Sequence, residues 1–389
     1  MDWQGVCENY PVNREMIWLN NCGITPAGTH VLDAVRRYMN DYARFGVQAP
    51  SADYGRIRQR IKEILSELLG CTPGELCLIH NTAEGMNVIS RGIQLDPGSE
   101  MILLENEYPS NVYPWRHWEK KGIKIKTVPQ CTTPDEFYGA LSSMVTERTR
   151  LISLSAVHWC TGMPLPLERI GSLCRERDIR FVVDGAQGVG TQPMDVGRQH
   201  IDFMALSAWK WLMGPLGLGV LYIAEKRLKE LDPVFVGTES VVMDEVYLPY
   251  KTDLKPTADR FAFSTPSTGD AVYFLAALEF LHELGFERVR ERIFALAETL
   301  KQRLRSIGFR ILSDRFPEHP TGIVVCEKPG VDAQAMVQGL QEHKVGAAER
   351  LGRVRLSPHI YLSDHQLDAA ARSLSQACMV QMYAQSVRR

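Results

Sequence analysis

Apolar residues recur at helical spacing over Val31–Tyr42, Ile57–Leu69, Pro134–Val145 and Leu167–Arg177. Short, near-continuous apolar runs stand between and after them: Leu76–Ile79, Met101–Leu104, Ile123–Val128, Leu151–Leu154, Phe181–Val183, Phe203–Leu206 and Gly219–Ile223. Runs of that length without polar alternation are the mark of strands buried on both faces. Strand and helix patterns alternate from about residue 76 to residue 224. The expected fold is therefore α/β, a large domain whose mostly parallel sheet is wrapped by helices.

The rhythm breaks near 230–265, where Pro233, Pro249 and Pro256 punctuate a stretch with little periodicity, read as a connection or active-site loop region. Helical patterns resume over Gly269–Leu284 and Phe286–Ser306. A strand at Gly322–Cys326, a helix at Ala333–His343, a strand at Arg353–Leu356 and a terminal helix at Asp364–Met382 follow. We expect residues 17–255 to form the large domain, 256–389 a smaller α/β domain, and 1–16 a segment packed on the small domain.

Composition narrows the class. Of 389 residues, 45% are hydrophobic and 23% charged, which suits an ordinary globular core, and a net charge of −2 offers no basic field for nucleic acid or anionic membrane. No apolar run approaches a membrane span. The nine cysteines are scattered without a Cys-x-x-Cys pair, and their odd number argues against a disulfide framework. A reducing cytoplasm fits best. The first residues, Met1–Gly5, lack the basic and apolar regions of a signal peptide. Cys77 and His80 have no second ligand pair at metal spacing, so no metal is expected.

Chemistry concentrates at the ends of two apolar runs. Phe181-Val182-Val183 ends on Asp184, with Gln187 three residues later, and Phe203–Leu206 ends on Ser207-Ala208-Trp209-Lys210. Groups just past the carboxyl ends of parallel strands converge on one crevice. A Lys and an Asp delivered there suit pyridoxal 5'-phosphate: the amine forms a Schiff base, and the carboxylate keeps the pyridinium nitrogen protonated. Gln187 could donate to the ring phenolate. Asn81-Thr82-Ala83 follows Leu76–Ile79 and opens a helix, whose free N–H groups suit a phosphate. Thr82 and Ser207 add hydroxyls, although Asn81 or Thr82 could equally be a plain N-cap. The glycines of Gly185–Gly190 do not open a helix and are discounted as a dinucleotide loop. Arg350, Arg353 and Arg355 are candidate carboxylate forks, or members of structural ion pairs.

Asp184-Gly185-Ala186-Gln187 followed by Ser207-x-x-Lys210 resembles the fold-type I pyridoxal-phosphate enzymes, and within them the class V aminotransferase group with cysteine desulfurases and isopenicillin N epimerase-like proteins. Trp18–Gly23, Glu107–Trp115 and Arg353–Tyr361 resemble further segments of that group in the right order. The resemblance implies that Tyr108 stacks on the cofactor ring, where desulfurases carry a His, and that Asn21 lies on the substrate side. It implies that Trp209 stands where a phosphate-binding His precedes the Lys, and Trp159 where an Asn is common near the cofactor. It ranks Arg350 ahead of Arg355 for the substrate carboxylate. It places Thr265, in Phe261–Ser267, on the partner subunit's phosphate, which implies a homodimer with shared sites.

The expected activity is a transformation of an amino acid at its α-carbon. Transamination is placed just ahead of β-elimination, with epimerisation third. The non-enzymatic alternative is a silent scaffold that keeps the fold. A persulfide-forming desulfurase is not expected, because no cysteine lies between Cys326 and Cys378, where the relatives carry a nucleophilic thiol near the carboxylate-binding Arg.

Overall fold

The computed structural model describes residues 2–243 and 246–387; Met1, Asp244, Glu245, Arg388 and Arg389 lie outside the described residues. The chain begins with helix α1 (Trp3–Glu8), strand β1 (Ile17–Trp18) and helices α2 (Thr29–Phe45) and α3 (Tyr54–Leu69). The alternating region then runs β2 (Leu76–Ile79), α4 (Thr82–Gly92), β3 (Glu100–Leu104), β4 (Lys124–Val128), α5 (Pro134–Met144), β5 (Thr149–Ser155), α6 (Leu167–Glu176), β6 (Arg180–Asp184), β7 (Phe203–Ser207) and β8 (Gly219–Ile223).

These strands form one seven-stranded sheet in the order β2-β8-β7-β6-β5-β3-β4. Only β8 runs against its neighbours. Alternate residues of each strand feed different cores. Ile152, Phe181, Val183, Met204 and Leu206 face one cluster, and Leu151, Val182, Phe203 and Ala205 face the other. Both faces are covered, which is why the strands read as unbroken apolar runs. The α/β architecture expected from the sequence is the one present.

After the irregular stretch come α7 (Thr268–Leu284), α8 (Phe286–Ser306), β9 (Arg310–Ile311), β10 (Val324–Glu327), α9 (Ala333–Glu342), β11 (Val345–Gly346), β12 (Ala348–Arg350), β13 (Arg353–Leu356) and α10 (Asp364–Val387). A four-stranded antiparallel sheet has the order β12-β13-β10-β9. The N-terminal residues pack on this C-terminal region: β1 pairs in parallel with β11 as a separate two-stranded sheet, and the Asn13 amide donates to the Tyr361 carbonyl at 2.6 Å.

Two sequence expectations change here. Arg350 was expected in a turn before the last strand, yet it closes β12, which pairs antiparallel with β13. A tight turn with positive φ at Leu351 and Gly352 joins the two, and a three-residue strand is too short to show a period. Strand Gly322–Cys326 is displaced to Val324–Glu327, because Gly322 is packed against Trp211 and Ile293 with no room for a Cβ.

Candidate active site

Asp184 ends β6 and Ser207 ends β7, and these are adjacent parallel strands with Asp184 in register with Ala205. Lys210 follows one turn later. The strand ends therefore carry the acid and the amine to one side of the sheet. They line a cavity of about 380 Å³ shared with Cys22, Thr82, Ala83, Tyr108, Trp159, Gln187, Trp209, Arg350 and Arg355. Most of the candidates scattered over the sequence thus meet at one place.

Asp184 is buried and accepts one hydrogen bond, from the Ala186 N–H at 2.9 Å. Its pKa is raised to about 7, chiefly by burial and then by the nearby Glu107 carboxylate, with Lys210 and the Ala186 N–H opposing the rise. Burial lowers the pKa of Lys210, partly countered by Asp184. A carboxylate buried with so few donors is costly when charged, so a cation set beside it would be strongly held.

The anion-binding end is built on α4. Asn81 caps that helix by accepting from the Glu84 N–H at 2.9 Å. Thr82 is thereby freed from capping, and its hydroxyl meets the Ser207 hydroxyl at 2.7 Å. Gly85 lets α4 lie directly on β7, since a Cβ there would stand 2.6 Å from the Ala205 Cβ. The helix N-terminus and the two hydroxyls thus face the same cavity as Lys210. Trp209 also lines it, with no hydrogen-bond partner for its indole N–H among the described residues.

The opposite wall is aromatic and basic. Tyr108 meets Trp159 edge to face at 5.3 Å, and the Lys210 amine lies 5.4 Å from the Tyr108 ring centroid. The Trp159 indole is fixed by a 2.8 Å bond to the Asn106 carbonyl, and its own carbonyl accepts from Arg355 at 2.8 Å. Arg355 is buried, its Nε has no partner, and no carboxylate pairs with it among the described residues. Arg350 is half-buried and stacks on Trp159 at 5.7 Å. Arg353 shares their face of the hairpin, but Glu327 holds it at 3.3 Å and it lines a different cavity.

Asn21, Gln187 and Thr265 have distinct surroundings. Asn21 does not line the cavity: it is fully buried, its oxygen accepts from Thr25 and Tyr361, and its amide donates to the Lys210 carbonyl. It holds the lysine turn from behind. Gln187 lines the cavity, but its amide is engaged at both ends, donating to the Cys22 carbonyl at 3.0 Å and accepting from Trp211 at 2.8 Å. One amide hydrogen remains for a ligand. Thr265 is exposed in a separate groove with Tyr54, His80 and Phe263.

The structure adds two residues that sequence reasoning left unassigned. Cys22 sits on the cavity wall next to Gly23. Glu107 is buried behind Tyr108 and accepts from the Tyr108 and Ser155 N–H groups, at 2.7 and 2.8 Å, as well as from the Ser155 hydroxyl. Burial raises its pKa, and those donors oppose the rise. A Glu before a turn reads as solvated, so only the parallel pairing that puts Ser155 beside Asp184 shows its place.

The sequence model of the family described as Aminotransferase class-V matches residues 17–373. The chain belongs to the class V aminotransferase family. It is 25% identical over 388 residues to a probable cysteine desulfurase of Pyrococcus abyssi, covering 94% of this chain and 95% of that protein. It is 31% identical over 336 residues to isopenicillin N epimerase of Streptomyces clavuligerus, covering 80% and 82%. A cystine C–S lyase solved with its product cysteine persulfide has the same fold, with a TM-score of 0.87 at 24% identity, covering 94% of this chain and 99% of that one. Membership makes the protein an enzyme dependent on pyridoxal 5'-phosphate. The cavity fits that group on its own terms. It has a buried acid with no salt-bridge partner among the described residues, a half-buried amine, and a helix N-terminus with two hydroxyls.

Proposed function

We propose that the enzyme transforms an amino acid at its α-carbon by transamination, with Lys210 as the one base that moves the proton. The observation that carries this reading is that Lys210, half-buried, is the one amine lining the cavity among the described residues. The His158 imidazole is buried behind the wall with its ring nitrogens on Thr161 and the Asn106 carbonyl, and burial lowers its pKa to about 4. Among the described residues lining the cavity there is no second amine and no imidazole to serve epimerisation as a base on the opposite face.

When bound, pyridoxal phosphate supplies an electrophilic carbon and an electron sink. Asp184 would hold its ring nitrogen, Tyr108 would cover its ring, and Thr82, Ser207, Trp209 and the start of α4 would hold its phosphate. Arg355 takes the substrate α-carboxylate, because it is the buried guanidinium without an acid. This reverses the order implied by resemblance, which put Arg350 first. Lys210 accepts the α-proton and would deliver it, on the same face, to the electrophilic carbon that the cofactor supplies, as transamination requires. Its lowered proton affinity leaves more of it as free base near neutral pH. Tyr108 and Trp159 exclude water from that path.

A homodimer is part of this reading. Thr265 is exposed outside its own cavity, and α2 leaves Met39, Tyr42 and Phe45 exposed beside Val47. A second copy would cover such a patch. We place the enzyme in the cytoplasm on its scattered, unpaired cysteines.

β-Elimination is the second reading. Tyr108 is 41% exposed on the cavity side, and its hydroxyl could protonate a departing group. Product analysis separates the two. The purified holoenzyme, given amino acids and an α-keto acid acceptor, should yield the keto acid of the donor and aminated acceptor in equal amounts. Pyruvate and ammonia from a β-substituted alanine, with no acceptor required, would instead establish elimination.

A further inference from the structure

Arg350 and Arg355 leave one positive charge more than an ordinary α-amino acid can answer. Both line the cavity that holds Lys210 and Asp184. Arg350 donates to the Glu349 carbonyl at 2.6 Å, while the Glu349 carboxylate is turned away onto the Gly352 N–H, also at 2.6 Å. Neither arginine has an acid partner among the described residues. Arg353, on the same face of the hairpin, is paired with Glu327. The hairpin therefore neutralises the arginine outside the cavity and leaves the two inside it open.

Their geometry is that of two separate subsites. Arg355 stands opposite Ala348 in the β12–β13 register, so Arg350 lies one diagonal step away. Such positions are about 7–8 Å apart at the backbone. Trp159 fills the space between, with Arg355 at its carbonyl and Arg350 over its ring. The indole is pinned by Asn106, so it acts as a fixed spacer. A guanidinium held over an aromatic face keeps its N–H edge free for a planar acid.

On the reading that Arg355 takes the α-carboxylate, we infer that Arg350 takes a second anionic group, and that the substrate is an amino acid with an acid on its side chain. The acid is a carboxylate or a sulfur oxyacid; both offer two or more oxygens to a planar fork. The distance between subsites favours side chains with the acid at or beyond the β-carbon.

The holoenzyme tests this by the concentration dependence of its cofactor absorbance change. Glutamate, 2-aminoadipate and cysteine sulfinate are compared with glutamine and other neutral amino acids. The acids should half-saturate the change at roughly ten-fold lower concentration than neutral analogues, the scale of one charge-assisted hydrogen-bonded pair. Arg350→Met should bring the ratio of glutamine to glutamate near one. Arg350→Gln serves the same purpose should the Met variant fail to fold. Separate carboxylate and sulfinate arms tell the two acid types apart. Equal saturation by glutamate and glutamine, or a preference that survives loss of Arg350, overturns the inference and leaves the proposed function standing. A holoenzyme whose absorbance responds to no amino acid overturns both.

Discussion

The Lys210 amine stands over the ring of Tyr108, 5.4 Å from its centroid, and Glu107 holds the backbone beneath that ring by accepting from the Tyr108 N–H. On the proposed reading, the face of the ring, more than its hydroxyl, would be what a flat cofactor meets. Tyr108→Phe should bind pyridoxal phosphate within about three-fold of wild type, while Tyr108→Leu should bind it about ten-fold more weakly, given that aromatic pairs add roughly 0.5–1.5 kcal/mol. Equilibrium titration of the cofactor-free protein measures this. Equal affinities in the Phe and Leu variants would remove Tyr108 from the cofactor site.

Asp184 titrates near pH 7 in the cofactor-free protein, above its usual carboxylate value, chiefly because it is buried. The sign follows from linkage. A carboxyl whose folded pKa is raised favours folding below its unfolded value, and that contribution is lost as pH rises through about 7. Asp184→Asn should therefore be more stable than wild type at pH 8 without cofactor, with the gap shrinking towards pH 4. With cofactor the order should invert, because an amide cannot hold the ring nitrogen protonated. Thermal unfolding at several pH values, with and without cofactor, reads both halves. Activity should fall by two orders of magnitude or more, as expected when a buried charge interaction of ~3 kcal/mol is lost.

Arg355→Met should reduce kcat/KM by about 10- to 100-fold, the range for a buried charge-assisted bond of about 1.5–3 kcal/mol. Arg353→Met should change it less than two-fold, since its partner is Glu327. Steady-state kinetics on the two variants decides between them, and the reverse ranking would return the carboxylate to another arginine.

The parallel sheet, its strand ends and the Asp184–Lys210 pair were legible because burial on both faces gives unbroken apolar runs that stop at the chemistry. The hairpin was not. Strand β13 was expected at the bounds it has, but β12 has three residues, too few for a period, so its pairing with β13 did not show. Side-chain destinations were harder still. Asn21 and Gln187 stand at the right places in the chain, but whether an amide faces the cavity or the turn behind it depends on contacts with Lys210, Cys22 and Trp211. Glu107 was invisible for the same reason, since its partner Ser155 is 48 residues away.

No enzyme persulfide should form. Cys326 lies in buried β10 and Cys378 in α10, and the hairpin that carries Arg350 and Arg355 contains no thiol. Cys22 is the thiol on the cavity wall, and it is 2% exposed. After incubation with L-cysteine, alkylation and peptide mass spectrometry should find no turnover-dependent persulfide. One that appears on Cys22, and disappears with activity in Cys22→Ser, would make the protein a desulfurase of a different design.

Lys210 as the covalent anchor of pyridoxal phosphate is tested most directly by trapping the link. The purified holoenzyme is reduced with borohydride, digested and mapped by mass spectrometry. The pyridoxyl group should be found on Lys210, and Lys210→Ala should carry none while keeping its fold by circular dichroism. A pyridoxyl group on any other lysine, or none on a protein that contains the cofactor, would contradict the site built here.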